Sequence, residues 1–587
     1  MNKDQVAAVL NEIAVLLELK GENPFKSRAY INGARVLESL SEPLEKLVAE
    51  KRLGELPGFG DALQKKVTEL VTTGRLGYYE GLKASIPAGL VAMLEISGLG
   101  PKKIQVLRKE LGIETIEQLE QACKEGKVAE LKGFGEKTQA NICAGIERHR
   151  SYASRRLLYE VLPLAEELVD NLRSNPDVIR CGTAGSLRRN RELVGDIDLL
   201  ASAKHPERVI QDFVRSPGII SILAQGDTKA SVLLEGGAQC DLRVVDDAEF
   251  ASALMYFTGS KEHNIVMRQR AIERGLRLNE YGLFRSTVET RDPALRLNCP
   301  TEEHIFEALG LNWVPPEMRE DKGEFKLAEA GQLPRLIEWT ELRGSLHNHS
   351  TWSDGRQSPA EIAKSMCELG LSYWAITDHS RSSVVANGLS VERVRQQIRE
   401  IRDINRRLED EGNPFRLLIG TEVDILKDGT LDFPDDLLAE LDVVVASIHQ
   451  SFQLPEAEMT QRLIRAASNP YVHILGHITG RLLLEREAYA INHQAVIDAC
   501  AATGTWIELN SSPSRLDMDW RFWPYAKSRG VPCVINCDAH RFEQAGYLRL
   551  GAGVARKAGL TRGDVLNTLP LEKLREALGQ KRARRQV

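Results

Sequence analysis

Through residues 1–150, apolar positions recur every three or four residues, as over 6–19 and 63–71, and predict short amphipathic helices punctuated by Gly-x-Gly turns. Past Asp177 the period shortens to that of strands, over 178–181, 197–201, 231–234 and 239–245, with Gly236-Gly237 as a hairpin turn. A mixed region follows, containing 256–260 and a helix over 265–274, and it closes near Pro315-Pro316. Residues 317–341 are charged and without a period, which predicts a linker. Beyond it, apolar runs end at His347, Thr377, Glu422, His449, His477, Asn510 and Asp538, with helical stretches between most of them. Such strand ends separated by helical crossovers predict a parallel, barrel-like α/β domain whose reactive side chains gather at the C-terminal ends of the strands.

These changes of pattern divide the chain into 1–85, 86–150, 151–250, 251–316, the linker 317–341, an α/β domain over 342–575 and a tail over 576–587, basic at 581–585. At 587 residues, about four compact units are expected. Charged residues make up 27% and hydrophobic ones 42%, which excludes wholesale disorder. No apolar stretch of ~18 residues is free of charge, so no membrane helix is expected, and the start MNKDQVAAVL lacks the basic end and apolar core of a secretory signal. Nine cysteines without a C-x-x-C pair point to reduced thiols in a cytoplasmic setting, and away from a disulfide scaffold or zinc ribbon. The net charge of −6 argues against an all-over nucleic-acid coat and leaves local patches open. The histidines change the picture most, since eight of the twelve lie beyond residue 340.

Three segments share one design of apolar residue, Gly-apolar-Gly and polar helix start: Leu56 to Gly60, Ile96 to Gly100 and Leu131 to Gly135. Glycines at 58, 60, 98, 100, 133 and 135 (Gly58, Gly60, Gly98, Gly100, Gly133, Gly135) let the backbone turn tightly and approach a ligand. The helix that follows offers unpaired N–H groups to an anion, and Lys102, Lys103 and Lys137 add charge. Such turns grip the DNA backbone without reading its sequence, as helix-hairpin-helix modules do.

A second constellation begins at Gly185-Ser186, where a strand runs into a short helix, and continues ten residues later with Asp196-Ile197-Asp198. On a strand, positions i and i+2 share a face, so both carboxylates converge, and Asp241 on another strand can supply a third. Three carboxylates suit magnesium with positions open for substrate phosphates. Gly185, Ser186 and Arg189 would hold a triphosphate.

Gly185-Ser186, Asp196-x-Asp198, Asp241-x-Arg243 and the run Tyr256 to Ser260 together resemble the family X DNA polymerases, over residues 1–316. The resemblance implies a catalytic triad of Asp196, Asp198 and Asp241 binding Mg2+ or Mn2+, with Arg243 beside it. It further implies that Tyr256 and Phe257 lie under the incoming sugar, with Gly259 and Ser260 in the same nucleotide site, Asn264 on the minor-groove edge and Arg268 on the template side. Lys261 departs from the family, standing where DNA polymerase beta has an acidic residue, and a cation there would strengthen nucleotide binding. Residues 1–85 resemble the family's lyase domain, which places Lys66 at the Schiff-base nucleophile and Lys26 at a 5′-phosphate contact. Two solvated lysines on a DNA-facing helix is the alternative for Lys65 and Lys66.

In the C-terminal part, His347-Asn348-His349, Asp354, Asp378-His379, Glu422, His449, His477 and Asp538-Ala539-His540 lie at or beside successive strand ends. Histidine with carboxylate and no thiolate suits manganese, iron or zinc, and a set this large could hold three ions, a composition fit for phosphoester hydrolysis. His473 and His493 fall off the pattern and are expected to be structural, while Arg481 could hold a substrate phosphate. The pattern resembles the polymerase and histidinol phosphatase (PHP) domain, with all nine ligand positions filled: His347, His349, Asp354, His379, Glu422, His449, His477, Asp538 and His540.

A family X core followed by a PHP domain resembles the bacterial family X polymerases. The expected fold is multidomain: helical helix-hairpin-helix N-terminal domains, an α+β nucleotidyltransferase palm and thumb, and an α/β (βα)7-like PHP barrel. The resemblance implies gap filling in base-excision repair and a manganese-dependent 3′–5′ exonuclease, with apurinic-site endonuclease and 3′-phosphatase as further activities. Expected partners are gapped or nicked duplex DNA and deoxynucleoside triphosphates, with no membrane, and nothing requires more than a monomer. Two other readings stay open at this point, a phosphoesterase tethered to DNA by its N-terminal half and a nucleotidyltransferase that uses no template.

Overall fold

The computed structural model describes all residues except 2, 39, 41, 42, 97, 154 and 584–587; the side chains of 4, 38, 148, 149, 151–153, 582 and 583 are likewise not described. Two units divide the chain, 1–154 and 155–587.

The first unit is helical, and its three Gly-x-Gly turns repeat one hydrogen bond. The N–H groups of Phe59, Leu99 and Phe134 donate to the carbonyls of Leu56, Ile96 and Leu131 at 3.2, 3.0 and 3.0 Å. Phe59, Leu99 and Phe134 are buried, which anchors each turn in the core. Gly58, Gly98 and Gly133 have φ of +78°, +89° and +91°, a conformation that favours glycine. A side chain at any of the six turn glycines would meet open space, so the turns face outward. Helices Asp61–Thr73, Pro101–Leu111 and Gly135–Ala153 start from them.

In the second unit, strands β1 (Val178–Thr183), β2 (Asp196–Ala203), β3 (Ile219–Gln225), β4 (Lys229–Leu234) and β5 (Gln239–Val245) form a sheet of order β1-β2-β5-β4-β3. The sequence pattern anticipates four of these. It misses β3, an edge strand whose Ile220, Ile222 and Leu223 are exposed. β2 and β5 run parallel with Asp198 opposite Asp241, while the other pairs are antiparallel. Helices Phe250–Thr258 and Lys261–Glu273 follow.

The stretch over 317–341 is not a bare linker. It contains helix Glu324–Ala330, and three of its charged residues, Glu317, Arg319 and Glu324, are buried against basic or acidic partners. Arg319 donates to Glu302 at 2.7 and 3.1 Å, and His263 lies 3.0 Å from Glu324.

The C-terminal sheet has seven parallel strands in sequence order: β6 (Gly344–Ser345), β7 (Tyr373–Ile376), β8 (Arg416–Asp424), β9 (Val443–Ser447), β10 (Ile474–Leu475), β11 (Trp506–Asn510) and β12 (Cys533–Asn536). It is nearly closed into a barrel: just past the ends of β6 and β12, Asn348 bridges Ala539, and the Asp538 N–H donates to the His347 carbonyl at 3.1 Å. Helix Leu571–Ala583 covers one side with Leu574 and Leu578 buried against strand residues, and Lys581 donates to Thr505 at 2.8 Å. Most of the expected tail is therefore a packed helix, while Arg584 and Arg585 lie outside the described residues. All nine cysteines are free, and no helix among the described residues is long and apolar enough to cross a membrane.

Candidate metal centres and nucleotide-binding residues

The register of β2 against β5 brings Asp196, Asp198 and Asp241 together, with oxygens within 4.8 Å of one another. Gly185 lets the next segment approach, since Asp198 Oδ2 occupies the space a side chain would need there. Burial, then the charges of Asp196 and Asp241, push the Asp198 carboxyl up to about 7. Burial and Asp241 raise Asp196 as well. Crowded, desolvated carboxylates of this kind fit a divalent cation, whose charge removes the repulsion.

Of the expected nucleotide contacts, Arg243 and Phe257 line one cavity with Asp198 and Asp241. Ser186 opens the short helix Gly185–Arg188, and Arg243 stacks on Phe257 at 4.6 Å. Tyr256 and Phe257 meet edge to face at 5.3 Å. Ser260 caps helix Lys261–Glu273, which leaves Lys261 exposed in its first turn. Asn264 is buried, donates to the Tyr256 carbonyl at 2.7 Å, and keeps its Oδ1 without a hydrogen bond. Arg268 reaches back to the Asn264 carbonyl at 3.4 Å. Arg189 is engaged: it donates to Glu320 at 3.1 Å and to the carbonyl of Thr258, beside Gly259.

In the first unit, Lys66 and not Lys65 turns inward. Its ammonium lies 4.4 Å from the Tyr78 ring and 5.7 Å from that of Tyr30, while Lys65 is exposed. Lys26 pairs with Glu22 at 3.0 Å, and Lys103 donates to the Gly98 carbonyl at 3.0 Å.

At the C-terminal mouth of the barrel, four overlapping groups of donors use all nine expected ligands. Within each group the donor atoms lie within 4.8 Å. Glu422 is central, with Oε1 at 3.2 Å from His347, 3.3 Å from His449 and 2.9 Å from His477, and Oε2 at 2.8 Å from His379. Asp354 lies 3.3 Å from His540, and Asp538 lies 3.1 Å from His349. Burial opposes charge on Glu422, yet His449, His347 and His379 hold its carboxyl well below the usual range. Buried His347 Nε2, His349 Nδ1, His477 Nδ1 and Glu422 Oε2 make no hydrogen bond. Ionised carboxylates among unsatisfied ring nitrogens are what a cluster of divalent ions requires.

Further residues orient these ligands, and of them the sequence pattern singles out only Asp378, beside His379. Glu508, buried on β11, accepts from His347 Nδ1 and from the His477 backbone N–H, both at 2.7 Å. Asp424 lies 2.5 Å from His449 Nδ1. Asp378 accepts from the N–H groups of Ser350 and Ser353 at 2.8 and 3.2 Å, which fixes the loop leading to Asp354. For Glu508, only its placement between Ile507 and Leu509 in strand Trp506–Asn510 hints at its role. Arg481 does not face the cluster. It donates to Asp519 at 2.8 Å, to Glu192 at 3.4 Å and to the Arg515 carbonyl. Arg515 does lie beside the ligands, 3.5 Å from Asp538. His473 accepts from the Val444 N–H at 3.1 Å, and His493 stacks on Phe522.

Family models match four stretches of the chain: a helix-hairpin-helix domain over 1–76, a SAM-like helix-hairpin-helix tandem over 91–148, the DNA polymerase beta thumb over 253–320 and a PHP domain over 345–512. The chain belongs to the family X DNA polymerases that carry a C-terminal PHP domain. It is 40% identical over 574 residues to the DNA polymerase/3′–5′ exonuclease PolX of Bacillus subtilis (strain 168), covering 97% of this chain and 98% of that protein. DNA polymerase lambda of Rattus norvegicus is 25% identical over 337 residues, 53% of this chain and 55% of its own length. A probable phosphatase of a Thermoanaerobacter species is 33% identical over 176 residues, 28% of this chain and 69% of its own length.

Proposed function

We propose that the chain is a DNA-directed DNA polymerase that fills short gaps in base-excision repair, with a 3′–5′ exonuclease in its PHP domain. The supporting observation is the presence, in a chain of this family, of two separate donor sets: three aspartates in the palm and nine ligands at the barrel mouth. In this reading Asp196, Asp198 and Asp241 hold Mg2+ or Mn2+, and the nine-ligand set holds up to three ions, with Mn2+ favoured over zinc or iron. Bound there, such ions supply charge neutralisation and Lewis acidity to phosphoryl transfer.

The protein's own groups do the rest. Ser186 and Arg189 bind the triphosphate, Tyr256 and Phe257 pack against the sugar, and Asn264, once it leaves the Tyr256 carbonyl, meets the base edge. The outward Gly-x-Gly turns hold duplex phosphates on either side of a gap. At the barrel, Arg515 takes the phosphate of the strand end while Glu508, Asp424 and Asp378 fix the ligands. That chemistry extends to apurinic-site cleavage and 3′-phosphate removal, both phosphoester hydrolyses. Lys66, set against two tyrosines, is the proposed lyase nucleophile, and borohydride trapping of a 5′-deoxyribose phosphate end tests it.

The polymerase reading is tested on a labelled one-nucleotide-gapped duplex offered each deoxynucleotide in turn. Incorporation of the complementary nucleotide alone is expected. Indiscriminate addition would favour the template-independent nucleotidyltransferase, and no addition the tethered phosphoesterase.

A further inference from the structure

The PHP barrel and the polymerase part meet at a buried ionic junction that neither metal site uses. Lys557 ends helix Leu548–Lys557 of the barrel, and its side chain is fully buried. Its ammonium donates to Glu320 at 2.5 Å, to the carbonyl of Arg189 at 3.1 Å and to the carbonyl of Glu317 at 3.3 Å, and it lies 4.7 Å from the Trp520 ring. Glu320 in turn accepts from Arg189 at 3.1 Å and lies 3.6 Å from Arg191. The same helix fixes its place with Arg556 on Glu317 at 2.7 Å and Arg549 on Glu166 at 2.6 Å, and Gly553 abuts Asn190, next to Arg189.

This matters because Arg189 cannot serve an incoming triphosphate while it neutralises Glu320. A buried carboxylate that loses its cation is strongly disfavoured unless another remains beside it. Lys557 is the nearer of the two cations that remain, at 2.5 Å against 3.6 Å for Arg191, and it comes from the barrel. We propose that Lys557 is a positioning residue for nucleotide binding, keeping Glu320 paired so that Glu320 releases Arg189 to the triphosphate. The proposal rests on the reading of Arg189 as a triphosphate ligand. It makes the PHP domain part of the polymerase's nucleotide site even when its own metal site is idle.

The sign of the effect separates this role from simple packing. Without Lys557, Glu320 holds Arg189 more tightly and nucleotide binding weakens. Without the charge on Glu320, Arg189 is free and binding does not suffer. Full-length wild type, Lys557→Met, Lys557→Arg, Glu320→Gln and the double variant Lys557→Met/Glu320→Gln are compared by KM and kcat for dATP on a one-nucleotide gap opposite dT, with Mg2+. Lys557→Met is expected to raise KM by about fivefold or more, with kcat little changed. Lys557→Arg should stay near wild type, Glu320→Gln should not raise KM, and the double variant should recover the wild-type KM. An unchanged KM in Lys557→Met, or a double variant no better than Lys557→Met, overturns the proposal while the polymerase reading stands. Absence of templated product from wild type overturns both. If Lys557→Met fails to fold, Glu320→Gln decides alone, since a raised KM in that variant contradicts the release mechanism.

Discussion

Gly185 and Asp198 share a space that only glycine leaves open: a Cβ at 185 would fall 2.0 Å from Asp198 Oδ2. Gly185 also has φ +59°, which disfavours a side chain independently. Gly185→Ala should therefore displace either the Asp198 carboxylate or the triphosphate turn. Gap filling is expected to fall by about 100-fold or more, since small misplacements of catalytic groups cost that much. Exonuclease turnover, measured on the same preparation, should be unaffected.

Glu508 touches the backbone of His477 and the ring of His347, and its carboxyl is held below the usual range by His347 and His477 although burial opposes this. Glu508→Gln removes the charge that fixes the His347 tautomer. Mn2+ affinity at the barrel, read by titration of exonuclease activity and by bound-metal content, should weaken by about 10- to 100-fold. Gap filling with Mg2+ should persist.

Lys261 is exposed at the start of helix Lys261–Glu273, near Asn264 and the Tyr256–Phe257 pair. Its positive charge should draw in the triphosphate from solution. Lys261→Ala is expected to weaken nucleotide affinity, and the difference from wild type should shrink as salt is raised toward about 0.5 M. Equal affinities at low salt would show that this charge does not contribute.

Burial brings the Lys557 ammonium down to about 8, against the pull of Glu320. A lysine with a lowered pKa is charged below that value and loses its proton as pH rises through it. The groups facing it are Glu320, Arg189, Arg191 and the Glu317 carbonyl. Wild-type KM for the nucleotide should thus climb between pH 7 and 9, by about as much as Lys557→Met raises it at pH 7. The variant should show no such climb.

The two donor sets were legible because histidine and aspartate at strand ends interrupt apolar runs, as His449 does after β9 and Asp538 after β12. The paired positions of Asp196 and Asp198 were legible from the two-residue period of a strand, but the register that sets Asp198 opposite Asp241 required the sheet. Other features were hidden for physical reasons. Arg319 and Glu324 read as linker charges, yet each is buried by a partner distant in sequence, Glu302 and His263. Arg481 stands four residues from His477 in sequence, but the turn through Gly480, at φ +58°, sends it to Asp519 and Glu192. Periodicity registers hydrophobicity and spacing, and a charge neutralised from afar changes neither.

Two chemistries at two sites of one chain are separated by a labelled primer on one-nucleotide-gapped DNA with Mn2+, with and without nucleotides. Wild type runs beside Asp241→Ala and His347→Ala. Asp241→Ala is expected to lose synthesis and keep degradation, and His347→Ala to lose degradation and keep synthesis. Loss of both activities in either folded variant, or loss of neither, would contradict this separation of sites.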